Sequence, residues 1–221
     1  INLKFDLNGE IKKNYQINGT IKKAKFNIFN QVKIDNLNLS FNINNNQLIL
    51  SKIETNLNSV KLKSPLIKIE EKKNIFFING KVINDQQNFD ISKLKPILGD
   101  LLNNIEIEKI DFNSINTFSF NVNKKLKLND LKLETNLNLG NFKIVKNPLN
   151  LKSFLPNYIE QVKFKDHKIK IKLTKNILDI KGEGGTYIGE ELEQLSYNII
   201  NDGGKIIFDT KLNIKNNPLI I

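Results

Sequence analysis

The 221 residues carry a formal net charge of +11, yet all 34 basic side chains are Lys, because the chain contains no Arg. The absence of Cys and the presence of a single His exclude disulfides, thiolate metal sites and His-rich metal cages. Nucleic-acid readers depend on the bidentate guanidinium, and these lysines are scattered along the whole chain, so the charge does not point to DNA or RNA.

Asn (37), Lys (34) and Ile (34), whose codons are rich in A and T, dominate the composition, and the lysine excess reads as the mutational bias of an AT-rich genome. The chain begins at Ile1 and lacks Met, which points to an internal piece of a longer protein. At 25.4 kDa it can bury a core as one large domain or two small ones. No apolar run approaches the roughly 20 residues of a membrane-spanning helix.

In chain order, the dominant signal is alternation with a period of two. Ile1, Leu3, Phe5 and Leu7 alternate with polar residues, and the same beat returns at Leu37, Leu39, Phe41 and Ile43. It recurs at Phe118, Phe120 and Val122, at Leu131 to Leu139, at Ile169, Ile171 and Leu173, and at Ile206 to Ile214. Asn, Lys, Asp and Ser fill the gaps, so one face of each strand is apolar and the other solvated, the antiparallel pattern. Hairpin turns are predicted at Asn8-Gly9, Asn18-Gly19, Asn44-Asn45-Asn46, Asn79-Gly80, Asn123-Lys124-Lys125 and Asp202-Gly203-Gly204. Roughly fourteen to sixteen strands follow, joined by short connections into a meander.

Two stretches break the beat. Residues 90–104 place Ile91, Leu94, Ile97, Leu98, Leu101 and Leu102 at helical spacing behind an Asp90 N-cap, and residues 151–162 repeat this more weakly. Residues 189–195 add one helical turn, with Glu190, Glu191 and Glu193 suiting the positive end of its dipole. The expected fold is therefore mainly β: an elongated, curved antiparallel meander with one or two short helices.

The whole chain, 1–221, reads as a single β-repeat segment. Ser40-Phe41-Asn42-Ile43-Asn44 recurs as Ser119-Phe120-Asn121-Val122-Asn123, and Glu54-Thr55-Asn56-Leu57-Asn58 recurs as Glu134-Thr135-Asn136-Leu137-Asn138. These echoes pair 37–64 with 118–144, and a second set pairs 90–98 with 150–158. Repetition of a hairpin implies growth along one axis.

No catalytic constellation emerges. His167 lies in Lys165-Asp166-His167-Lys168, which reads as an exposed turn. Glu106 and Glu108 share a strand face, but their neighbours Ile105 and Ile107 mark that face as solvated. Gly182-Glu183-Gly184-Gly185 lacks the Lys-Ser/Thr ending of a phosphate loop and reads instead as a bend or a close backbone approach. The reading is non-enzymatic, with no cofactor and no metal. What remains is the apolar surface, which alternation alone assigns equally to a closed core or to an open groove.

Meanders of long alternating strands with repeated hairpins and occasional short helices resemble the AsmA-like envelope proteins of Gram-negative bacteria, which include the YhdP- and TamB-type members. The run Asn176-Ile177-Leu178-Asp179-Ile180-Lys181-Gly182-Glu183-Gly184 resembles their recurrent strand ending, and Phe89-Asp90-Ile91-Ser92-Lys93-Leu94 resembles the helix openings between their hairpins. The resemblance implies a repeating β-groove in the periplasm, part of an inner-membrane-anchored protein that shields phospholipid acyl chains between inner and outer membranes and supports outer-membrane biogenesis. It implies membranes at the ends of the full-length protein and a groove lined by Phe41, Ile43, Leu57, Phe120, Val122, Leu137, Ile171, Leu173, Phe208 and Leu212. The alternative is a structural or adhesive β-repeat domain with a closed core and protein partners.

Overall fold

The computed structural model describes residues 8, 15–28, 32–44, 46–58, 60–94, 106–107, 109–146, 162–188 and 190–215. These residues are mainly β. The first five strands are β1 (Gln16–Ile28), β2 (Val32–Asn44), β3 (Gln47–Leu57), β4 (Val60–Lys72) and β5 (Ile75–Phe89). A 3-10 turn at Ile91–Leu94 follows, then β6 (Glu106–Ile107), β7 (Ile110–Asn123), β8 (Leu128–Leu139) and β9 (Phe142–Lys146). The last four are β10 (Val162–Thr174), β11 (Ile177–Ile188), β12 (Glu191–Asp202) and β13 (Lys205–Asn213).

They form one 13-stranded antiparallel meander in the order β1-β2-β3-β4-β5-β7-β8-β10-β11-β12-β13. The two short strands lie off this path: β6 pairs with β9, and β9 also pairs with β10. Among the described residues β1 and β13 are the two ends of the order and do not pair with each other, so the sheet is open rather than closed into a barrel. The contacts group into two units. Unit 1 comprises 1–84, 115–134 and 173–175; unit 2 comprises 85–114, 135–172 and 176–221.

Several predicted turns are where expected. Asn46 lies between β2 and β3, Lys124-Lys125 between β7 and β8, and Gly203-Gly204, with φ of 57° and 94°, between β12 and β13. Positive φ at both central residues is what a two-residue hairpin turn requires, and glycine adopts it without steric cost. Two predicted turns are wrong. Asn18-Gly19 lies inside β1 and Asn79-Gly80 inside β5. The nearby turn is instead Lys73-Asn74, whose φ values of 51° and 64° are reached without glycine.

The mid-strand glycines exist for space, not for turning. A Cβ on Gly19 would lie 2.3 Å from the Phe41 ring carbon Cζ across the β1–β2 ladder, and one on Gly80 would lie 2.9 Å from Phe118. The missing side chain lets each ring lie over the neighbouring backbone.

The single helical turn expected at 189–195 is contradicted: Glu191 opens β12, so no helix dipole acts on Glu190, Glu191 or Glu193. Asp90 does cap as expected, its Oδ1 accepting the Ser92 N–H at 3.0 Å ahead of the 3-10 turn. Val162, the last residue of the helix expected at 151–162, instead opens β10. The rest of that helix, the rest of the one expected at 90–104 and the first alternating run at residues 1–7 lie outside the described residues, as do the Glu106 and Glu108 side chains.

Candidate functional site

In unit 1 the ladder register assembles the alternating residues into continuous apolar rows. Ile17 pairs with Ile43, Ile43 with Leu48, Leu48 with Ile69 and Ile69 with Ile78, so one row crosses β1 to β5 without a polar member. At about 4.8 Å per strand spacing, this row runs roughly 19 Å. The adjacent row is Gly19, Phe41, Leu50, Ile67 and Gly80, and Phe118 reaches over Gly80 from β7. Phe120 stacks against Phe118 at 5.9 Å between ring centroids, and Val122 follows on the same side of β7. Leu57 pairs with Ile34 and with buried Val60.

A further device keeps these rows on one face. Lys23, Asn36 and Lys52 have φ of 54°, 55° and 52°, and register shifts in the β1–β2 and β2–β3 ladders fall around them. Each is a β-bulge, where one extra residue reverses the parity of side chains along its strand. The apolar positions take a compensating step of three across each bulge: Ile21 to Ala24, Ile34 to Leu37, Leu50 to Ile53. A positive-φ residue at the same point of an identical step occurs at Asp130, between Leu128 and Leu131, and at Asp166, between Phe164 and His167. Asn and Asp tolerate this conformation better than most residues. The amides freed at such points find side chains. Asn38 Oδ1 accepts the Lys23 N–H at 3.0 Å, and Asp111 Oδ1 accepts the Asn88 N–H at 2.6 Å.

On the opposite face of unit 1, Asp35 accepts ion pairs from Lys33 at 3.2 Å and Lys25 at 3.3 Å. Desolvation raises its pKa, but hydrogen bonds from those two lysines outweigh it and hold the carboxyl below its ordinary value. That face is not purely polar, since Leu66, Phe77 and Ile115 are exposed on it.

In unit 2 the rows are shorter and more mixed. Ile180, Ile199 and Phe208 form one; Gly184, Leu195 and Leu212 form another; Gly182, Tyr197 and Thr210 lie between them. A Cβ on Gly182 would lie 2.2 Å from Tyr197 Cζ, so the close approach expected at this glycine run is present. Burial raises the Tyr197 hydroxyl pKa.

The expectation that His167 occupies an exposed turn is overturned. It lies inside β10, only 1% exposed, over the space left by Gly184. Its Nε2 is 3.0 Å from the Gly185 carbonyl, which can only accept, so Nε2 carries the proton and donates. Phe164 and Phe142 meet the ring edge-on at 5.2 and 5.9 Å. Burial lowers its pKa, partly offset by the Gly185 hydrogen bond. Glu193, also 1% exposed, accepts the Lys215 N–H at 2.9 Å. Both side chains are buried on the apolar side and tie neighbouring backbone to it.

The ten expected lining residues are divided between the two units. Phe41, Ile43, Leu57, Phe120, Val122 and Leu173 belong to unit 1; Leu137, Ile171, Phe208 and Leu212 belong to unit 2. Phe208 and Leu212 lie on the terminal strand β13 and are well exposed. Sequence reasoning missed Phe118 over Gly80 and the aromatic cluster around His167. An open trough on the polar side of unit 2 is lined by Lys168, Lys170, Lys181 and Lys211 with Glu183 and Asp209, four positive charges interleaved with two negative ones. No cluster of potential metal ligands occurs among the described residues. Compared with known proteins, the chain matches no family model, no curated protein and no solved structure.

Proposed function

We propose that the apolar face shelters hydrocarbon, and that the chain is a segment of a periplasmic, inner-membrane-anchored lipid-transfer protein that shields phospholipid acyl chains between two membranes. The observation that carries this reading is the unbroken row from Ile17 to Ile78 on an open sheet. At roughly 19 Å it exceeds the roughly 15 Å of a single leaflet's hydrocarbon depth. All five residues of the row are half-buried among the described residues, and a contiguous apolar surface on a sheet is the kind of feature that marks a ligand-binding groove. Each sheltered methylene is worth about 0.8 kcal/mol, so a sixteen-carbon chain gains on the order of 12 kcal/mol. The role is non-catalytic: the face lowers the cost of moving an acyl chain through water. The resemblance to AsmA-like proteins supports the same reading.

The test is a photoreactive amino acid introduced at Phe120 and Leu137 in cells, with crosslinked phospholipid as the readout. Outward-facing Asn121 is the control. Labelling at 120 and 137 well above that at 121 is expected, and equal labelling would overturn the proposal.

A further inference from the structure

The two ends of the sheet differ. β13 spans only Lys205–Asn213, and every residue in it is exposed, with Ile206 at 66%, Phe208 at 64%, Ile207 at 51% and Leu212 at 40%. Among the described residues it has one neighbour, β12. A long apolar edge with free ladder groups is a template for pairing with another strand. It carries only Lys205, Asp209 and Lys211 as charges, and no proline.

The register of β12 and β13 determines which groups are free. The two-residue Gly203-Gly204 turn makes Asp202 and Lys205 a mutually hydrogen-bonded pair. Alternation then turns the backbone groups of Lys205, Ile207, Asp209, Lys211 and Asn213 toward β12. Those of Ile206, Phe208, Thr210 and Leu212 face outward. A partner strand must meet these even-numbered residues.

We propose that β13 pairs antiparallel with β13 of a second copy of this chain, about a two-fold axis through Thr210. In this register Phe208 opposes Leu212 of the partner subunit twice, and Thr210 opposes Thr210 of the partner subunit. On the other face Asp209 opposes Lys211 of the partner subunit twice. Charge selects this register over its neighbours. Moving the axis to Asp209 sets two carboxylates against each other, and moving it to Phe208 sets Lys205 against Lys211 of the partner subunit. Moving it to Ile207 restores attraction, between Lys205 and the partner's Asp209, but pairs only Lys205 to Asp209, against Ile207 to Asn213 for the Thr210 axis. About six backbone hydrogen bonds form, and opposite-charge, Thr–Thr and aromatic–aliphatic cross-strand pairs all favour association. A two-fold normal to the sheet keeps each side chain on its own face, so the apolar rows of unit 2 continue into the partner. The pairing does not depend on the lipid reading.

The chain has no Cys, so Thr210→Cys introduces its only thiol. Directly opposed Cα atoms in a hydrogen-bonded pair are about 5.5 Å apart, within disulfide reach. Mild oxidation should yield a disulfide-linked dimer, whereas Leu126→Cys, on an exposed turn, should not. By light scattering across a dilution series, Asp209→Lys and Lys211→Asp should each weaken association about tenfold or more. The double variant Asp209→Lys/Lys211→Asp should restore it. All of these positions are exposed, and circular dichroism checks that the sheet is retained. A monomer at every concentration overturns the proposal, as does a thiol at 210 that is unreactive because another strand of the chain covers it. Loss in Asp209→Lys with no effect of Lys211→Asp overturns the Thr210 axis in favour of the Ile207 axis.

Discussion

Replacing Gly184 by Ala probes the packing of unit 2 at its tightest point. The added Cβ would lie 2.4 Å from His167 Cδ2, 2.6 Å from Cγ and 2.8 Å from the backbone Cα. The first two atoms belong to a ring that could in principle swing, but that ring is buried, hydrogen-bonded to Gly185 and flanked by Phe142 and Phe164. The third belongs to the neighbouring strand itself. Without a clash, Gly to Ala within a strand should gain about 0.5–1 kcal/mol. Overpacking opposes this with about 1–3 kcal/mol. Displacing the imidazole from the Gly185 carbonyl adds about 1–3 kcal/mol for a buried acceptor left unpaired. The clash wins, and Gly184→Ala should lose roughly 1–5 kcal/mol. The assay is urea unfolding followed by circular dichroism, read as a lower midpoint at unchanged slope. His167→Ala removes the obstacle, so the double variant should be more stable than the two single losses added together. A stabilised Gly184→Ala variant, or strict additivity, would refute the packing described for this site.

His167 also sets a pH dependence. Its folded pKa is depressed by burial, so between that value and the ordinary imidazole value near 6.5 the unfolded chain binds more protons. The stabilisation is present in full above about pH 6.5 and is lost as the pH falls through the folded pKa. Unfolding midpoints at pH 7.5 and 5.5 should therefore differ more in the wild type than in His167→Asn; equal differences would contradict the buried neutral ring. Asp111→Ala removes the acceptor of the exposed Asn88 N–H, a cost of about 0.5–1.5 kcal/mol, and should accelerate amide exchange at Asn88. Asp111→Asn, which keeps Oδ1, should retain most of the protection, and exchange unchanged in both variants would exclude this compensation.

The mainly antiparallel sheet was legible because each strand writes its own alternation: Leu37, Leu39, Phe41 and Ile43 all fall on one side of β2. The bulges were less legible, since a break in alternation reads as the end of a strand. The steps of three from Ile34 to Leu37 and from Leu50 to Ile53 carried the signal, with Asn36 and Lys52 inside them. Asn18-Gly19 and Asn79-Gly80 misled because a glycine's small volume and its backbone freedom leave the same mark in sequence. Only the aromatic partner across the ladder, Phe41 or Phe118, separates the two uses. His167 was hidden by its charged neighbours Lys165, Asp166 and Lys168. Its phase, three residues after Phe164 and two before Ile169, already placed it on the apolar side.

The central claim is that hydrocarbon contacts one face of this sheet, and a photocrosslinking scan along β2 tests it most directly. With phospholipid present, positions 37, 39, 41 and 43 should label while 38, 40 and 42 remain dark. Across the Asn36 bulge the pattern should slip by one, so that 34 labels and 33 and 35 do not. Labelling without periodicity, or concentrated on 38, 40 and 42, would contradict the account.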